Sequence, residues 1–246
     1  MPKKIIAPTT FRYVAFYDLI ADAAFQHSLA RVHTDSFSVS RHARASIVAA
    51  AFSVECVANC LIGDMDASKS LRDELDKLPP LPKIETALRM KGISTFDRGR
   101  NEVQAAVELV RIRNDYVHPK TTTSGAEAHE PEDAGVEWKV PFIVEAELWR
   151  TLVIPKQAMV WTSEASLSVL KALCGFFRYL FVDILKANRH DLDMLLQSRL
   201  QIGSTLMPAV FDEIRAAIGA IRNEGVDFSF LLAPLEPTKT SDAGAA

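Results

Sequence analysis

The chain has 246 residues, 48% of them hydrophobic and 24% charged, an ordinary globular composition that is long enough to bury one large core or two small ones. A net charge of -3 and a pI near 6.1 exclude a broadly basic, nucleic-acid-coating surface, but not a local basic cleft. Three cysteines, an odd count, fit a reducing cytoplasm better than a disulfide framework, and Met1–Lys4 is followed by too short an apolar run for an export signal.

Ten glycines and few strand-like alternations point to a mainly helical, all-α protein. Phe11 to Arg31 carries Val14, Tyr17, Leu19, Ile20, Ala24, Phe25 and Leu29 at helical spacing. Ser38 or Ser40 is the expected cap of a second helix that runs to about Leu61 and ends at Gly63. Its middle, Ala49 to Asn59, is small and apolar around Glu55, which marks a central helix. Cys56 and Cys60 share a face of it, but no partner pair lies nearby to complete a metal site. Ser68 opens a short charged helix to about Lys77, and Pro79, Pro80 and Pro82 then separate it from a helix over Lys83 to Met90.

A long helix follows over Asn101 to Val117, with Val103, Val107, Val110 and Tyr116 or Val117 as core candidates. From Pro119 to Pro155 the helical period disappears. Thr121 to Asp133 reads as a solvated loop, and Val136–Val144 is expected to pair with Leu148–Ile154 in a small hairpin. Helices resume over Ser163–Lys186, around Asp191–Leu200, and over Pro208–Arg222. The tail from Pro234 has the composition of a disordered segment. Ser46–Ile62 and Ser166–Leu185 are the most apolar stretches. Glu55 interrupts the first and Lys171, Arg178 and Asp183 the second, which argues against a membrane span.

The chemistry-bearing stretch is Arg113-Asn114-Asp115-Tyr116-Val117-His118, closed by Pro119. Arginine is a permanent cation that grips phosphate bidentately, and histidine transfers protons near neutral pH. Asn114 and His118 stack on one helix face, whereas Arg113 and His118 diverge by about 140° at about 100° per residue. A second copy of the helix, across a symmetric dimer, completes such a site more easily than one chain alone. A histidine in a last turn also suits the helix dipole without any chemistry. Glu55, in an apolar helix, needs a partner, and Arg111 or Arg113 is available.

The helix Ala-Ala-Phe-Ser-Val-Glu-Cys-Val-Ala-Asn, followed by one ending Ile-Arg-Asn-Asp-Tyr-Val-His-Pro, resembles the HEPN domain family. The family signature R-x(4–6)-H, with a polar residue after the arginine, is met by Arg113, Asn114 and His118. The resemblance covers roughly Phe11 to Pro119, with the helix from Ser163 as the expected completion of the bundle. It implies one HEPN-like helical bundle over residues 11–222, with an irregular insertion at 119–157 that the family pattern does not place. It further implies a homodimer and a metal-independent endoribonuclease without cofactor, a toxin or defence component that a protein partner neutralises.

In that reading His118 moves the proton, Arg113 stabilises the phosphate and Asn114 holds the histidine or a phosphate oxygen by hydrogen bonding. The products are 2′,3′-cyclic phosphate and 5′-hydroxyl ends. Glu55 supports Arg113, Tyr116 stacks on a base, and Arg111 and Lys120 attract the backbone of single-stranded RNA. Other members of the family keep the fold and only bind RNA or protein, which is the alternative.

Overall fold

The computed structural model describes residues 8–129 and 142–232. The tail expected from Pro234, residues 130–133 of the acidic run and residues 136–141 of the expected hairpin lie outside them.

Strand β1 (Thr9–Arg12) precedes helix α1 (Phe16–Val32), so the helix expected from Phe11 starts at Phe16 instead. The next helix, α2 (Ser36–Gly63), is capped by Asp35, whose carboxyl accepts from Ser38 N at 2.8 Å, rather than by Ser38 or Ser40. Many buried positions of α2 are small: Ser40, Ala43, Ser46, Ala50, Ala51, Ser53 and Ala58. Small residues let α1 approach closely enough for Ser46 Oγ to donate to Ala23 O at 2.7 Å.

Helix α3 (Lys69–Leu75) follows its Ser68 cap. The helix α4 (Pro80–Met90) starts before the expected Lys83, because Pro80 and Pro82 occupy a first turn whose N–H groups have no intrahelical partner. Helix α5 (Asn101–Val117) has the expected bounds. Val103 is buried, whereas Tyr116 and Val117 are exposed, since the end of α5 projects beyond the bundle.

Strand β2 (Ala126–Ala128) pairs with β3 (Phe142–Val144) in the insertion, with Ala126 opposite Val144. This corrects the expected pairing of Val136–Val144 with Leu148–Ile154. Leu148–Pro155 closes on itself through a bridge between Leu148 and Pro155 and hydrogen bonds from Trp149 N to Ile154 O and from Val153 N to Trp149 O. Helix α6 (Ser163–Arg178) continues into a π-helical turn, Tyr179–Ile184. Helix α7 (Arg189–Leu196) carries a reciprocal cap between Asn188 and Asp191. Strands β4 (Arg199–Ile202) and β5 (Thr205–Pro208) and helix α8 (Asp212–Ala220) complete the regular elements.

The order β1-β4-β5 makes a three-stranded antiparallel sheet, with Phe11, Leu200 and Met207 in one row. The architecture is thus mostly helical with a small antiparallel sheet. The sheet was hidden because four-residue strands give little alternation and Arg199–Leu200 continued the apparent period of α7.

Phe16, Phe176, Phe177 and Phe181 lie at the heart of the core, with the rings of Phe16 and Phe177 5.3 Å apart. Val226, Phe228 and Leu231 join it, so packing continues past Arg222, and Tyr17 donates its hydroxyl to Leu231 O at 2.6 Å. By length and hydropathy, Ser36–Gly63 and Ser163–Ile184 are each apolar enough to cross a membrane, but 61% of each apolar window is buried inside the bundle, as in core helices.

Two buried polar contacts tie remote segments together. Fully buried His27 meets Ser166 Oγ at 2.7 Å and Glu224 Oε2 at 3.2 Å, and Arg31 meets Glu224 Oε1 at 2.6 Å. Ser166 is itself fully buried and donates to Ser163 O, so this set is a strut between α1, α6 and the segment that follows α8 rather than a nucleophile. The second contact is Glu108 of α5, also buried. Its carboxyl oxygens accept from Thr151 N at 3.0 and 3.1 Å and from Leu152 N at 2.9 Å, which fastens the insertion to the bundle.

Glu108→Ala strands those two N–H groups, which is expected to cost about 2–3 kcal/mol. Tm should then fall by roughly 5–10 °C, with faster amide exchange at Thr151 and Leu152; unchanged exchange there would show that the carboxyl is not the anchor. At Glu224, burial pushes the carboxyl up, but hydrogen bonds from His27 and Arg31 outweigh it and hold it below its ordinary range. Its stabilisation is therefore complete above the unfolded value of about 4.3 and is lost as pH falls through the lower folded value. Urea titrations of Glu224→Gln should show a flatter loss of stability than wild type between about pH 5 and pH 3, and parallel curves would refute the assignment.

Candidate functional site

The motif sits where α5 ends. Pro119 has no N–H to continue the helix, and His118 leaves helical geometry (φ -122, ψ 65) while its N–H donates back to Asn114 O at 2.9 Å. The five-residue spacing then sends the two ends of the motif to different surfaces.

Arg113 turns toward α2. Its Nη2 lies 2.5 Å from Glu55 Oε2, its Nη1 donates to Asn114 Oδ1 at 3.0 Å, and its guanidinium sits 5.5 Å from the centre of the Phe52 ring. The contact with Glu55 is close but off-axis for a hydrogen bond, so charge rather than direction holds it. Both side chains are 25% exposed, which makes the pair a partly buried clamp between α5 and α2.

His118 turns the other way and is exposed to solvent. It lines an open cleft of about 1480 Å³ with Arg111, Tyr116 and Lys120, three further residues singled out in the sequence. Arg113, Asn114 and Glu55 do not line it. Arg44 of α2, the insertion residues Trp149, Lys156 and Gln157, and Trp161 just before α6 also line it. The insertion, read from sequence as a solvated loop followed by a small hairpin, therefore supplies more than half of the residues that line the cleft.

Arg44, Arg111 and Lys120 have no ion-pair partner among the described residues. Lys156 is paired with Glu147 at 2.6 Å, and Asp115 and Glu145 also reach the cleft. The cleft's four cations, Arg44, Arg111, Lys120 and Lys156, outnumber its three carboxylates, Asp115, Glu145 and Glu147, by one, so the surface is locally positive on a net-negative chain. Among the described residues no group of three His, Cys, Asp or Glu converges as a metal site.

Sequence reasoning missed Arg44, Trp149, Lys156 and Gln157. Arg41, His42 and Arg44 were visible as a basic cluster in the N-terminal part of α2, and Trp149 in the expected strand Leu148–Ile154 was a sign of packing. Neither sign says which surface α2 turns toward α5.

A double-mutant cycle on Glu55→Gln and Arg113→Met, read by chemical denaturation, should return a coupling of about 1–2 kcal/mol, between the exposed and buried limits. A coupling near zero would mean that the pair is incidental. No protein-family model, curated protein or solved structure matches the chain.

Proposed function

We propose that the chain is a metal-independent endoribonuclease of the HEPN type that acts on single-stranded RNA. It works as a homodimer and as a toxin or defence component held in check by a protein partner. One observation carries this reading: solvent-exposed His118 shares a cleft with the unpaired cations Arg44, Arg111 and Lys120.

The cations hold the RNA backbone while His118 takes the proton from a 2′-hydroxyl. The 2′-oxygen attacks phosphorus, the bond to the 5′-oxygen breaks, and that oxygen leaves with a proton from a second acid, the His118 of the partner subunit. A 2′,3′-cyclic phosphate and a 5′-hydroxyl result. Arg111 and Arg44 stabilise the charge that gathers on the phosphate. Arg113, engaged by Glu55, is a positioning residue that fixes the last turn of α5.

The engagement of Arg113 by Glu55 and Phe52 favours a second reading, a non-catalytic helical module that binds RNA or protein through the same cleft.

The test is incubation of mixed cellular RNA with purified protein in EDTA, beside His118→Ala. Wild type should produce 2′,3′-cyclic phosphate ends, and the variant should be slower by at least about 100-fold. Equal cleavage by both proteins would remove His118 from the reaction. An inert, folded wild type would leave the binding module as the function.

A further inference from the structure

The wall that the insertion gives to the cleft holds two polar atoms that the fold leaves unsatisfied. Trp149 Nε1, a donor, and Gln157 Oε1, an acceptor, are both buried without a hydrogen-bond partner among the described residues. Trp161 lines the same cleft and shows the usual arrangement, its Nε1 donating to Pro155 O at 2.6 Å. Gln157 Nε2 donates to Ser124 Oγ at 2.7 Å, so turning the amide over only exchanges which of its polar atoms is left unpaired. Folded proteins rarely tolerate such groups, because an unmade buried hydrogen bond forfeits solvation and returns nothing.

The surroundings narrow what would satisfy them. Lys156 Nζ lies 5.9 Å from the centre of the Trp149 ring, and half-exposed Tyr116 lines the cleft from α5. A phosphate or carboxylate offers only acceptors; it would pair with Trp149 and leave Gln157 unmet. An apolar side chain would satisfy neither. A nucleobase carries a donor and an acceptor on one planar edge and a face for stacking.

We propose that this wall is a nucleobase subsite for one unpaired base of an RNA strand. Trp149 Nε1 donates to the base edge, an N–H of the base donates to Gln157 Oε1, and Tyr116 offers a stacking face. This rests on the RNA reading above and adds to it residues that read base rather than backbone. Both atoms are covered in this conformation, while Trp149 and Gln157 as side chains are only half-buried. Base binding in this proposal uncovers the two atoms by rotation of their side chains, while Glu108 holds the backbone of Thr151 and Leu152 in place.

The test uses the full chain and two labelled probes of equal length and charge, followed by fluorescence anisotropy. One is a short 2′-O-methyl single strand, which resists cleavage, and the other is its abasic counterpart. Wild type should prefer the base-bearing probe by about tenfold or more. Trp149→Phe, which keeps a ring and removes the donor, and Gln157→Met should each erase most of that preference. Their affinity for the abasic probe and their Tm should hold.

If wild type binds both probes equally, the cleft remains an anion site and the nucleobase subsite falls. Variants that keep the preference, or lose both probes in the same proportion, also overturn it. If wild type binds neither probe, the RNA reading fails and takes the subsite with it. A nucleoside monophosphate that competes as strongly as the strand would assign the wall to a soluble nucleotide instead, which overturns it as an element that reads RNA.

Discussion

A 28-residue helix buried on most of its circumference has to be covered from several sides, and α2 imposes that requirement on the whole chain. Its small residues decide how closely the cover fits. Ala43, Ser46, Ala50 and Ala58 leave no side-chain bulk to hold neighbours away, so the hydroxyl of Ser46 reaches the backbone of α1 directly. Helices α1, α4, α5 and α6 then arrange themselves around α2, and the phenylalanine cluster of α1 and α6 fills the space that they enclose. The position of α5, and with it the motif at its end, follows from this packing.

A second constraint shapes the surface beyond the bundle. Glu108 lies on the buried side of α5, where an unmatched carboxyl would be strongly unfavourable. Its partners are backbone N–H groups of the insertion rather than a cation, so a segment without regular structure of its own is held at a defined place. With its Leu152 and Ile154 buried, the segment Leu148–Pro155 is anchored, and its Trp149 lines the cleft. The cleft exists because one acidic side chain in a helix finds its hydrogen bonds in a loop.

The motif is thereby divided. Arg113 lies against α2, where Glu55 and Phe52 take up its charge and its planar face, while His118 emerges on the other side beside cations with no such partners. A guanidinium already matched by a carboxylate has little field left for a phosphate, whereas Arg44, Arg111 and Lys120 keep theirs. The division places the two ends of Arg113–His118 differently within one chain: the arginine is held against α2 and the histidine faces the cleft.

Local order was legible in the sequence. The bounds of α5 were readable because Asn101 to Val117 keeps an unbroken helical period and Pro119 removes the next donor. The central role of α2 was readable because a small-residue helix that is apolar nearly all round but carries Glu55 suits a bundle core, and Glu55 announced its need for a cation. Long-range pairing was not legible. β1 finds β4 across nearly the whole chain, and Arg199–Leu200 reads as helix until that partner is present. The base of the cleft depends likewise on Glu108 meeting Thr151, and its composition on Arg44 and Trp149 converging from segments that share no local pattern. Periodicity and capping are properties of neighbouring residues, so the chain alone determined the helices and the motif. Which surfaces met, and so which cations remained unpaired, was decided only when burial in three dimensions chose the partners.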